Sequence, residues 1–430
     1  MKRLIRLEPI SLLPYLGKWI VLGGAVALLA GSASAFFLYA LEWATLGRLR
    51  HPWLLALLPL AGYAVGWIYQ RYAGRAEAGN NLLIDEIHDP RRVVPLRMVP
   101  LVLGGTVVSH LFGASVGREG TAVQMGGALA DRLGHLVRLR HEDRRIILMA
   151  GISAGFASVF GTPLAGAVFG LEVLAIGRLH YDALLACTVA AILADQVGLL
   201  WGVHHTAYTV PFIPPLGPKL FAALLIAGAC FGLAGRGFAA ATHALGDWIR
   251  RRVPHAPLRP LLGGIGVAGA AWMLDGGRYL GLGIPVIVEA FNRPVSPVDW
   301  IAKLGFSVLS LGSGFKGGEV TPLFYVGATL GNALAPLLDQ PFPFLAGLGF
   351  VAVFAGAANT PIASTLMAME IFGAGIGSHA AIACVVSYLF SGHTGIYRAQ
   401  RPGRGKHPGG PGEQSVTPRP RATTTPDAPP

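Results

Sequence analysis

The chain has 430 residues, of which 53% are hydrophobic and only 13% charged. A soluble domain would be about one quarter charged, so the composition excludes a soluble enzyme and points to an all-α integral membrane protein. The formal net charge of +12 does not indicate a nucleic-acid partner. The basic residues sit in short loops and tails, at Lys2–Arg6, Arg138–Arg145, Arg250–Arg252 and after Arg398, as expected of cytoplasmic loops in a multi-pass protein.

In chain order, residues 1–11 read as a cytoplasmic N-terminus without a signal-peptide cleavage pattern. Residues 12–398 read as one membrane domain of two repeats, about 12–210 and 211–398. Apolar runs long enough to span or partly span a bilayer are Trp19–Ala44, Trp53–Tyr69, Lys219–Ala241 and Leu258–Leu274. Other runs, Thr121–Leu133 and Thr321–Pro336, are too short. With 59 glycines and 31 prolines, the helices are expected to be broken, which lipid tolerates only where free backbone lines a cavity or packs in protein. The basic residues at both ends predict two cytoplasmic termini and an even number of crossings. Two repeats of odd crossing number would then be inverted. Residues 399–430, rich in Pro, Gly and Thr, are expected to be disordered. Cys187, Cys230 and Cys384 lie in apolar segments and read as packing residues.

The repeats carry matching motifs. Gly117-Arg118-Glu119-Gly120-Thr121 in the first stands 200 residues before Gly317-Gly318-Glu319-Val320-Thr321 in the second. GTPLAGAVFGLE ends at Glu172, and NTPIASTLMAME ends at Glu370, 198 residues later. Duplicated broken helices at matching positions point to a transporter binding site. Glu119 and Glu319 follow glycines at helix starts, where free N–H groups and the helix dipole favour anions. An ionised carboxylate there can take the anion's place, and a protonated one can swing away with its proton. Each can also be a simple cap, although carboxylates within a membrane usually mark function. Glu172 and Glu370 close their helices, against the dipole. They are expected to be structural, reaching water or a basic partner. Asn80 and Asn81 follow Gly79 at another helix start, as caps or as amide donors to an anion. Tyr397 is either an interface anchor or a hydroxyl donor turned inward.

These residues resemble the CLC chloride channels and anion/proton exchangers. Glu119 in GREGT looks like that family's gating glutamate. Gly317–Pro322 looks like its second half-helix motif, Gly79-Asn80 stands at its first filter turn, and Tyr397 at its filter tyrosine. The likeness implies a CLC-like inverted repeat with broken and re-entrant helices. It also implies a homodimer in the cell membrane, with one independent pathway per subunit. Four departures are informative: Asn80 for the usual Ser, Thr121 for the usual Pro, Glu319 for an apolar residue, and Val173 where an inner proton relay would fall. Together they resemble the fluoride/proton antiporter branch.

The expectation is therefore a secondary active transporter that exports fluoride in exchange for protons. Glu119 and Glu319 would couple protons. Backbone groups of Gly120, Thr121, Val320 and Thr321 would hold the anion, with Asn80 and Tyr397 as side-chain donors. A chloride exchanger or passive chloride channel is the alternative, and the pairing of Asn80 with Glu319 argues against it. An intramembrane enzyme is disfavoured because the 13 histidines are scattered and no HExxH occurs. No cofactor or metal is expected.

Overall fold

The computed structural model describes residues 8–403, 405 and 406, with side chains from residue 12 onward. The expectations for residues 1–7 and 407–430 lie outside this range. The fold is all-α and built as eight helices followed by eight more. The first set is α1 (Glu8–Arg50), α2 (Leu58–Tyr72), α3 (Asn80–His88), α4 (Met98–Phe112), α5 (Glu119–Leu136), α6 (His141–Phe160), α7 (Pro163–Glu172) and α8 (Leu184–Leu200). The second is α9 (Pro218–Arg252), α10 (Leu258–Met273), α11 (Ile284–Asn292), α12 (Asp299–Ser313), α13 (Val320–Leu334), α14 (Phe342–Ala358), α15 (Pro361–Phe372) and α16 (Gly377–Phe390).

The two sets match position by position. Each opens on one long helix, of 43 residues in α1 and 35 in α9. Each has a nine-residue third helix. The fourth helix of each ends on a left-handed glycine, Gly113 at φ 97° and Gly314 at φ 103°. The T-P motifs explain the next breaks. Gly161 and Asn359 end α6 and α14 in the left-handed region. The residue before a proline avoids the helical region, and Pro163 and Pro361 then restart α7 and α15.

Among the described residues, four helices are long and apolar enough to cross a membrane: Leu12–Arg50, Pro52–Tyr72, Tyr181–Leu200 and Pro218–Arg252. Three of the expected runs lie in these. The fourth, Leu258–Leu274, folds into a helix of 16 residues, about 24 Å long, because it starts after Pro257 and stops at the left-handed Asp275. Small residues let the short helices pack closely. A side chain on Gly126 would collide with the Gly151 carbonyl, and one on Gly327 with the Gly349 carbonyl.

Glu172 and Glu370 are each held by backbone N–H groups of the other repeat. Glu172 accepts the N–H groups of Ile362 (3.1 Å) and Ala363 (2.8 Å) at the start of α15. Glu370 accepts those of Leu164 and Ala165, both at 2.8 Å, at the start of α7. Helices α7 and α15 lie against each other, and each carries in its last turn the carboxylate that caps the other. The unfavourable C-terminal position is thereby turned into a favourable N-terminal one. Glu172→Ala strands two N–H groups. Hydrogen bonds to charged groups contribute about 1.5–3 kcal/mol each, so a loss of about 3 kcal/mol is expected. It would be read as a lowered thermal midpoint in detergent, and an unchanged midpoint would remove the cap from the stability of the fold.

Past Tyr397 the chain stays bound. The Ala399 N–H donates to Asn81 Oδ1 at 2.9 Å. Gln400 Nε2 donates to the Val173 and Ala358 carbonyls, both at 2.9 Å. Arg401–Pro402 then pairs in parallel with Ala175–Ile176.

Candidate functional site

The site is built where two glycine turns meet. The Gly117 N–H donates to the Gly318 carbonyl at 2.6 Å, and the Gly318 N–H to the Gly117 carbonyl at 2.8 Å. This short antiparallel bridge sets the first turns of α5 and α13 against each other. Only glycines permit it. A β-carbon on Gly318 would lie 2.7 Å from the Gly120 nitrogen, and one on Gly117 would lie 2.9 Å from the Gly318 carbonyl oxygen.

Glu119 opens α5, is 1% exposed, and turns its carboxylate onto the opposing repeat. Its Oε2 accepts the Thr321 N–H at 3.1 Å, and its Oε1 accepts the Thr321 hydroxyl. The Arg118 N–H also donates to it, at 3.1 Å. The carboxylate thus occupies the N-terminus of α13, a position chemically suited to an anion. Val320 is the first residue of α13, and its N–H belongs to the first-turn donors that a helix leaves free.

Glu319 and Asn80 approach Gly120 from other directions. A β-carbon on Gly120 would lie 3.1 Å from Asn80 Nδ2 and 3.7 Å from Glu319 Oε2. Asn80 Oδ1 and Glu319 Oε2 are buried and have no partner among the described residues. Tyr397 is 6% exposed and lines, with Asn80 and Glu319, a cavity of about 370 Å³. The rim of that cavity carries Arg250, Arg259, Arg398 and His243. The basic rim attracts anions to a mouth at whose depth stand an amide, a carboxyl and a phenol. Glu119 is not among the cavity's lining residues.

Thr121 is the one candidate turned elsewhere. Its hydroxyl lies 2.7 Å from the Thr106 hydroxyl of α4, and its N–H is held by the Arg118 carbonyl at 3.2 Å. Asn81, read together with Asn80, is spent on Ala399. Val173 is 2% exposed and offers no titratable group. Lys316 escaped the sequence reading. It lines the cavity with its ammonium 4.1 Å from the centre of the Tyr69 ring. Its place three residues before Glu319, inside the same glycine turn, was the available signal. Around the helix tips, Phe156 stacks on Phe169 at 4.1 Å and Phe324 on Phe350 at 4.0 Å, an apolar wall that excludes water.

Comparison with known proteins agrees with this architecture. The profile of the family described as voltage gated chloride channel matches residues 61–392. A protein named chloride/fluoride channel protein, from Pseudomonas syringae pv. tomato (strain ATCC BAA-871 / DC3000), is 64% identical over 413 residues, covering 95% of this chain and 91% of its own. Among solved structures, a CLC-type fluoride/proton antiporter superposes with a TM-score of 0.88 at 36% identity, over 90% of this chain and 98% of its own. A slow cyanobacterial Cl⁻/H⁺ antiporter shares the fold, with a TM-score of 0.77 at 20% identity, over 88% of this chain and 96% of its own.

Proposed function

The chain belongs to the voltage gated chloride channel family, and on that premise we propose that it is a secondary active transporter exporting fluoride in exchange for protons. One observation carries the reading: the Glu119 carboxylate sits on the Thr321 N–H and hydroxyl, with Glu319 adjoining Thr321's own helix start. Carboxylate and anion then compete for one set of donors. An anion arriving from the basic cavity takes the Thr321 donors when Glu119 gains a proton and leaves.

Fluoride suits such a site. It is the smallest halide and the strongest hydrogen-bond acceptor among them, so it gives up water only for strong donors. The Asn80 amide, the Tyr397 hydroxyl and a protonated Glu319 are donors of that kind. The biological need is plain chemistry. Hydrogen fluoride crosses a bilayer uncharged and ionises in a neutral cytoplasm, and the trapped anion then needs a driven exit. The reading includes the cell membrane and two cytoplasmic termini. It also includes a homodimer, with the exposed apolar side chains Leu164, Ile192, Ile362 and Val385 on α7, α8, α15 and α16 as the surface for a second copy.

Purified protein in liposomes tests the proposal, with fluoride and chloride efflux measured in parallel against a proton gradient. Proton-driven fluoride efflux without matching chloride efflux is the expected result. Proton-driven chloride efflux at an equal rate would make the chain a general halide exchanger. In the same assay Asn80→Ser should shift the fluoride-to-chloride ratio toward chloride by about fivefold, since one neutral hydrogen bond contributes about 1 kcal/mol net. An unchanged ratio would reduce Asn80 to a helix cap.

A further inference from the structure

We propose that the protein holds a second anion site, outside the basic cavity, where Arg48, His110 and Lys303 converge on Gly281, and that a single halide ion is its ligand. The three residues come from separate elements: the last turn of α1, the last turn of α4 and the second turn of α12. Lys303 is fully buried. Its ammonium donates to the Tyr279 carbonyl at 2.9 Å and the Gly281 carbonyl at 2.7 Å, and lies 5.2 Å from the centre of the Tyr325 ring. His110 is 1% exposed, with one ring nitrogen directed at the Gly117 backbone and the other unanswered, and Arg48 Nε is likewise buried and unpartnered. An imidazole always carries at least one N–H, and a guanidinium nitrogen is always a donor. The Arg48 Nε–H is therefore a buried donor unanswered by the protein, beside an imidazole with a nitrogen to spare.

The donors face a common point. A β-carbon on Gly281 would lie 3.3 Å from Arg48 Nη2 and 3.7 Å from His110 Nδ1. Gly281 stands at φ +56°, so glycine both permits the turn and keeps that space clear of a side chain. Nearby, a β-carbon on Gly113 would touch Leu55 at 3.1 Å and Arg48 Cδ at 3.4 Å. These close apolar walls suit a monatomic ion and not an oxyanion such as sulfate.

The charge balance asks for the same ligand. None of the ion pairs among the described residues includes Arg48, His110 or Lys303. The neighbouring carboxylate, Asp299, is taken by Arg278 at 2.9 Å and the Tyr279 hydroxyl at 2.8 Å. The charges that act on His110 are Arg48, Lys303 and Arg118, all positive. Buried charges are ordinarily paired, and an anion is the partner that the Arg48 guanidinium lacks. None of the three lines the basic cavity. An ion at Gly281 joins α1 and α4 of the first repeat to α12 of the second.

The test uses crystals of the full chain grown with fluoride, bromide or gluconate as the sole anion, together with halide titration calorimetry of wild type, Arg48→Gln and His110→Leu. The expected result is a bromide anomalous peak at Gly281, or density there with fluoride that disappears with gluconate. Each folded variant should bind one halide equivalent fewer than wild type. Loss of a fluoride equivalent would identify the transported ion as the ligand, and loss of only a chloride equivalent would identify a resident chloride. Density that is the same with all three anions, or absent throughout, means ordered water or nothing, and overturns the site. Equal halide stoichiometry in wild type and folded variants overturns it as well. The crystal arm needs no variant, so it decides the question even if both substitutions prevent folding. None of these readings depends on flux, so the site and the transport proposal fail independently.

Discussion

Glu319→Gln is expected to give a folded protein that no longer exchanges fluoride for protons. Glutamine preserves size and hydrogen bonding but cannot titrate. Glu319 stands at the start of α13, with one oxygen buried and unpartnered, close to the Gly120 backbone and the Asn80 amide. As an anion it repels fluoride; as an acid it donates a hydrogen bond to it. Its protonation therefore follows anion occupancy. Removing a proton-transferring group costs on the order of a hundredfold or more. Fluoride/proton exchange should fall by at least about that factor, measured with paired fluoride and pH electrodes. Exchange at the wild-type rate would make Glu319 a structural cap.

Glu119→Gln is expected to separate the two ions. The wild-type carboxylate is held on Thr321 by its N–H and its hydroxyl. Charge-assisted hydrogen bonds are roughly twice as strong as neutral ones, so an amide would compete less well for those donors. It would also carry no proton across. Fluoride should then move only down its own gradient, at a rate indifferent to the proton gradient, and proton uptake coupled to fluoride should vanish. A pH electrode that still records fluoride-driven proton pumping in this variant would remove Glu119 from the coupling.

Much of this arrangement is legible in the chain because it is written twice. The GREGT and GGEVT turns and the two T-P helix starts mark equivalent positions, and the structure places them in equivalent elements. What was hidden depends on partners far away in sequence. Glu172 and Glu370 looked misplaced at helix ends because the N–H groups they cap belong to the other repeat. Arg48, His110 and Lys303 are single basic residues in three separate elements, with no shared spacing to link them. Asn80 and Asn81 are neighbours with the same chemistry, yet only the fold separates their tasks. The strand at Arg401–Pro402 is two residues long, too short to leave any periodicity.

The bridge between Gly117 and Gly318 also bears on how large a movement transport requires. It consists of two backbone hydrogen bonds at the point where the repeats touch. Rocking one repeat against the other would break both at every turnover and leave two buried N–H groups bare. A cycle that keeps the bridge is confined to side chains, chiefly the swing of Glu119 away from Thr321. The protein's outline then stays constant through the cycle. In such a cycle the surrounding lipid would do no work on the transporter, and turnover would be indifferent to how thick or stiff the bilayer is.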